Sequence, residues 1–195
     1  MCAMAAVVAL LVPVPGGSAP VAAQADLFDG GEISLGVGIW TGRQADLFSP
    51  GFRGLLALTA EAAPKRRVLL EVLYGRFSPR AEGTAVTESS VRLAARLELE
   101  PTRGWLPYVQ GRLGYHRLSG TGAGSGATQT GLLLGPEIGA EWPISDRARL
   151  MGAVEGAWIW YGDVGGSDDG TSGTGGYALR LGFRIGVSFR RGDAR

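Results

Sequence analysis

Residues 177–189 read Tyr-Ala-Leu-Arg-Leu-Gly-Phe-Arg-Ile-Gly-Val-Ser-Phe, and their reading decides the fold. Side chains of an extended strand alternate between two faces. Leu179, Leu181, Phe183, Ile185, Val187 and Phe189 share one face, and Arg180, Gly182, Arg184, Gly186 and Ser188 share the other. One face is apolar and the other carries arginines.

The same alternation recurs upstream. It predicts strands over Ile33–Thr41, Phe52–Ala62, Val68–Phe77, Ser89–Glu100, Trp105–Leu118, Thr130–Trp142 and Arg149–Tyr161, with Tyr177–Phe189 as the eighth. Ser89–Glu100 alternates most cleanly: Val91, Leu93, Ala95, Leu97 and Leu99 oppose Arg92, Ala94, Arg96, Glu98 and Glu100. Pro136 falls inside the sixth strand, where proline removes a ladder donor. No stretch reads as an amphipathic helix.

In a sheet bathed by water, an apolar face meets a core and a polar face meets solvent. Here the polar faces carry both signs of charge in equal measure. Glu32, Glu61, Glu71, Glu98, Glu100, Glu137, Glu141 and Glu155 stand against Arg53, Arg92, Arg96, Arg112, Arg149, Arg180, Arg184 and Arg190. Matched charges suit a closed interior, because a buried charge without a partner costs several kcal/mol or about that order. The expected fold is all-β: an eight-stranded antiparallel up-and-down transmembrane β-barrel, apolar side outward to lipid and ionic side inward.

The connections support that reading. Gly42–Pro50, Ser78–Thr87, Gly120–Ala127 and Gly162–Gly176 are loops after odd strands, while Ala63–Arg66, Pro101–Gly104 and Pro143–Arg147 are Pro-marked turns after even ones. Membrane barrels sort long loops to one side and short turns to the other. Aromatics gather toward strand ends. Tyr74, Tyr115, Trp158 and Trp160, with Phe52 and Tyr177, lie toward the loops, and Trp105, Trp142 and Phe189 toward the turns, as in an interfacial girdle. Arg76 and Arg117 are expected on the lipid face, at strand ends where a charge costs roughly 0–1 kcal/mol.

Met1–Ala25 contains no ionisable side chain, has an apolar run from Ala5 to Val14 and ends Ala23-Gln24-Ala25. It reads as a cleaved signal peptide, leaving 26–195 as the barrel domain. Ten apolar residues are too few to cross about 30 Å of hydrocarbon as a helix. Cys2 precedes that run, so the mature chain is expected to carry no cysteine, disulfide or thiol chemistry.

Composition excludes some partners and leaves little chemistry. A net charge of +1 gives no electrostatic case for nucleic acid. The single histidine, His116, is expected on the inward face, and Ser119 three residues on falls on the opposite face, so the pair makes no triad. Asp163, Asp168 and Asp169 match no spaced Ca²⁺ motif. Gly120–Gly126 lacks the lysine and helix of a phosphate cradle. No catalytic, metal or cofactor residue is assigned, and inward glycines such as Gly36, Gly38, Gly135 and Gly139 are read as making room for large neighbours.

Pro107-Tyr108-Val109 after a Pro/Gly turn, and Arg184-Ile185-Gly186-Val187-Ser188-Phe189 at the end, carry a resemblance. The chain resembles the small eight-stranded outer-membrane barrels of the OmpA/OmpX type, in the porin-like superfamily. The resemblance implies a Gram-negative outer-membrane location with periplasmic termini. It also implies a set of neighbours: membrane lipid and lipopolysaccharide, periplasmic chaperones, and an insertion machinery that reads Arg184, Gly186 and Phe189. Such chains usually end on the aromatic, whereas Arg190–Arg195 follow Phe189 here. The function expected is a monomeric, non-enzymatic barrel with a side-chain-filled lumen, structural or recognising partners through its loops. A narrow pore, a lipid A-modifying enzyme and a soluble lipocalin-like binder are the competing readings.

Overall fold

A computed structural model describes residues 28–41, 48–78, 85–120, 128–161 and 177–190. Eight strands close into an antiparallel up-and-down barrel: β1 Gly30–Thr41, β2 Gly51–Ala63, β3 Arg66–Phe77, β4 Val86–Glu98, β5 Leu106–Gly120, β6 Thr128–Pro143, β7 Ala148–Tyr161 and β8 Tyr177–Arg190. β1 and β8 seal the barrel through a continuous ladder from Gly30↔Arg190 to Thr41↔Leu179. The signal-peptide reading, the three aspartates of the last loop and residues 191–195 lie outside the described residues.

The apolar sets point outward. Ile33, Leu35, Phe52, Val72, Val91, Leu132, Ile138, Val154, Phe183 and Ile185 are all exposed on the outer wall. The inner wall holds Trp40, Leu69, Phe77, Tyr108 and Met151 together with most of the ionic groups. A barrel meeting water would be built the other way round.

Strand limits differ from the sequence reading in places that matter. β4 begins at Val86, so Glu88, expected next to a loop, lies within the strand opposite Leu118 and Gly75. β3 begins at Arg66, which adds a third cation to the outer wall, at the turn end, and places Arg67 inside. Pro136 stays within β6 and pairs with Gly111, while the β6–β7 ladder skips Gly135 and Pro136 without losing register. The missing donor interrupts one ladder only.

Two turns are well defined. Pro64 and Lys65 alone join β2 to β3, with Lys65 at φ 63°. Between β4 and β5, Thr102 and Trp105 exchange backbone hydrogen bonds of 2.9 and 3.0 Å around Arg103 (φ 50°) and Gly104 (φ 83°). Two successive positive φ values define a type I′ hairpin turn, which favours Asn-Gly. Arg103→Asn is therefore expected to stabilise the refolded barrel by roughly 0.5 kcal/mol. Urea unfolding in detergent micelles measures it, and an unchanged or lower midpoint contradicts it.

Candidate functional site: the ionic interior

The barrel brings together side chains far apart in sequence because every second residue of each strand must point inward. Glu155 on β7 is the hub. Its carboxylate pairs with Arg53 from β2, with Arg112 of β5 at 2.7 Å, with Arg180 of β8 at 3.4 Å and with Arg92 of β4 at 3.5 Å. All five side chains are buried.

A second acid, Glu137 on β6, binds Arg184 through two parallel hydrogen bonds, 2.6 and 2.8 Å, and also pairs with Arg112. That two-pronged geometry matches a planar guanidinium to a carboxylate. Tyr108 donates to the same carboxylate at 2.9 Å, and its ring lies 4.0 Å beneath the Arg96 guanidinium. Arg96 in turn joins Glu32 at 2.5 Å and Glu141 at 2.8 Å, while Glu71 accepts from Gln110 at 2.7 Å and pairs with Arg112 at 2.9 Å. The groups share partners, so the interior is one connected network.

Toward the turn end the network reaches Glu98, which pairs with Arg190 at 2.5 Å and Arg67 at 3.0 Å. Toward the loop end it stops at an aromatic layer. Trp40, Phe77, Leu118, Leu133, Ile159 and Tyr161 form a buried cluster with Phe48 packed against it. Just below lie Glu88, paired with Arg180, and His116, whose Nδ1 is 3.4 Å from Glu88 Oε1. The His116 ring sits between Trp40 and Tyr161, with centroids 6.1 and 6.0 Å away.

Two of the expected interior acids belong elsewhere. Glu61 keeps the inward register, opposite the buried Arg67, but its side chain is exposed at the turn end of β2, where the β2–β3 ladder shifts between Glu61 and Ala63. Glu100 lies beyond the end of β4 and pairs with Lys65 at the surface. Glu88 and Arg67 are inside as well, and the sequence reading missed both. Extending the inward alternation of Arg92 and Ser90 back by two residues finds Glu88, and extending that of Glu71 and Leu69 finds Arg67.

The glycines divide by what they face. Arg53 lies flat across Gly38, Gly75 and Gly182: a Cβ would come within 2.7 Å of its Nε at Gly38 and 2.6 Å of its Cγ at Gly75, and would overlap its guanidinium at Gly182. Gly139 similarly leaves room for the Tyr108 ring. Gly36 and Gly135, by contrast, face the backbone carbonyls of Phe183 and Gly156, so close strand approach accounts for them.

The remaining named residues are placed as follows. Tyr74, Trp105, Tyr115, Trp158, Trp160 and Phe189 are exposed on the outer wall, and Trp142, partly exposed, packs against Trp105 with ring centroids 4.6 Å apart and planes tilted by 57°. Of the terminal motif, Phe189 faces out, Arg184 is inside on Glu137, and Gly186 faces β1 where a Cβ would overlap Ser34. Ser119 is outside, accepting from Arg117 at 3.2 Å, so His116 and Ser119 stay on opposite faces. Among the described residues no cluster of His, Cys, Asp or Glu is arranged to hold a metal ion.

Removing one partner from a buried ion pair costs more than removing an exposed one. Glu155→Gln leaves four buried guanidiniums short of an anion and is expected to destabilise the barrel by about 3–5 kcal/mol. Glu61→Gln is expected to change stability by less than about 0.5 kcal/mol. Equal urea midpoints for the two variants would contradict this division of the acids.

No protein-family model matches the chain, and no curated protein matches it in sequence. Solved structures do match in fold. The chain is similar to Neisserial surface protein A, with a TM-score of 0.65 and 16% identity over 83% of this chain and 96% of that one. It is also similar to the outer membrane protein OprG from Pseudomonas aeruginosa, with a TM-score of 0.50 and 13% identity over 83% of this chain and 96% of that one. At such identities the likeness concerns the path of the chain and its closure.

Proposed function

We propose, from the fold shared with these small outer-membrane barrels, that the chain is an integral outer-membrane protein with no catalytic role. Its strands cross the bilayer, both termini face the periplasm, and the connections after β1, β3, β5 and β7 face outward. It serves as a monomeric structural element or recognises partners through those loops. Outer-membrane lipid and lipopolysaccharide surround it, and periplasmic chaperones and the barrel-insertion machinery act during its biogenesis, the latter on Arg184, Gly186 and Phe189.

The observation that carries this reading is the inversion of the barrel: apolar side chains around the outer wall, cross-paired charges within. Every backbone donor and acceptor in hydrocarbon needs an internal partner, and a closed ladder supplies them. A filled lumen is supported by the size of an eight-stranded interior, which side chains can occupy completely. An interior cavity of about 10 Å³ beside Ser34, Arg53, Glu155 and Arg184 has roughly the volume of one water. The aromatic layer around Trp40 and Phe77 supports closure at the loop end.

The non-enzymatic reading is supported by the burial of His116 and Glu88 beneath that layer, where a lipid substrate has no approach. The lipocalin-like reading would need an apolar lumen, which the ionic interior disfavours.

Two measurements test the proposal together. Refolded protein should run faster on a gel when unheated than when boiled, and should give no steady current in a planar bilayer. Steady conductance would replace the filled barrel with a narrow pore. Absence of both insertion and mobility shift would overturn the membrane assignment.

A further inference from the structure

The outer wall is not uniformly apolar. Within the eight strands every acid occupies an inward register position, whereas Arg66, Arg76 and Arg117 point outward. Arg66 stands at the turn end of β3; the other two stand at the loop end and share a patch. The registers arrange its neighbours in rows across β3, β4, β5 and β6. One row reads Arg76, Thr87, Ser119 and Thr128, and the next reads Tyr74, Ser89, Arg117 and Thr130. The row beneath reads Val72, Val91, Tyr115 and Leu132, with Trp160 continuing it on β7. Two polar rows with two cations and no carboxylate thus sit directly above an apolar row.

Neither arginine is neutralised by an acid among the described residues. Arg117 donates to Ser119, itself part of the patch, and Arg76 has an exposed side chain. The other arginines of the strands' loop halves, Arg53 and Arg180, are buried against carboxylates. A cation held out toward hydrocarbon is costly unless it meets an anion or water at the interface.

From this juxtaposition we infer that Arg76 and Arg117, with the hydroxyls between them, bind the phosphorylated headgroup of an outer-leaflet lipid, whose acyl chains lie along the Val72, Val91, Tyr115 and Leu132 row. The inference rests on the outer-membrane reading above and deepens it. Charge complementarity selects the occupant: guanidiniums and hydroxyls serve phosphate oxygens, and the adjoining apolar row serves chains of the same molecule. A free phosphate would use only the first half of the surface.

The test uses the full mature chain reconstituted in phosphatidylcholine vesicles containing lipid A, with retained lipid read by native mass spectrometry after mild extraction. Dephosphorylated lipid A and inorganic phosphate are the comparison probes. Retention of lipid A is expected to fall roughly fivefold for Arg76→Gln or Arg117→Gln and about 30-fold for the double variant. Arg66→Gln, the same charge change on the same wall at the other end, is expected to leave retention unchanged. Heat-modifiable mobility shows that each variant is folded. The inference is overturned if the folded double variant retains lipid A like the parent, if Arg66→Gln loses as much, if dephosphorylated lipid A is held equally well, or if inorganic phosphate displaces the lipid. Failure of the parent chain to insert would overturn the outer-membrane reading along with it, whereas insertion without discrimination overturns the lipid site alone.

Discussion

The ladder between β1 and β8 is the constraint on which everything else depends. Once Gly30–Thr41 pairs with Arg190–Leu179, no strand edge remains in the sheet. An open edge would leave a row of donors and acceptors unpaired, which hydrocarbon cannot satisfy. Closure also fixes which residues share the interior. With eight strands the space is narrow, so each inward side chain must find its partners across the lumen as well as on the neighbouring strand.

That narrowness explains the chemistry of the inside. Glu155 and Glu137 come from adjacent strands yet gather arginines from β2, β4, β5 and β8. Shared partners let each carboxylate offset more than one guanidinium, and the glycines at 38, 75 and 182 let Arg53 lie across the lumen to reach Glu155. Burying ions is costly, and a network in which carboxylates and guanidiniums share ion-pair partners offsets part of that cost. The charges are therefore a consequence of packing polar groups in a closed space, and their number need not balance strand by strand.

The outer wall follows from the same closure. In the proposed membrane setting, lipid asks only for apolar side chains at the middle of each strand, which leaves the strand ends free to carry aromatic rings and the two arginines of the loop end. The sequence difference from other barrels of this fold, down to 16% and 13% identity, is what such loose demands permit.

The sequence by itself determined the strand count, the two faces and most of the inward residues, because a period of two is written locally and needs no knowledge of neighbours. Arg92, Arg96, Arg112, Glu137, Glu155, Arg180 and Arg184 were legible for that reason. Glu61, Glu88 and Arg67 were not, because they lie where strands begin or end. There a register shift after Glu61, or the extra residues of β3 and β4, depends on which strand lies alongside. Only the tertiary structure decided which acid meets which arginine, since those partners come from different strands and their meeting is set by register and closure. It likewise separated Gly38 and Gly139, which accommodate side chains, from Gly36 and Gly135, which accommodate backbone, because the difference lies in what the opposite strand presents.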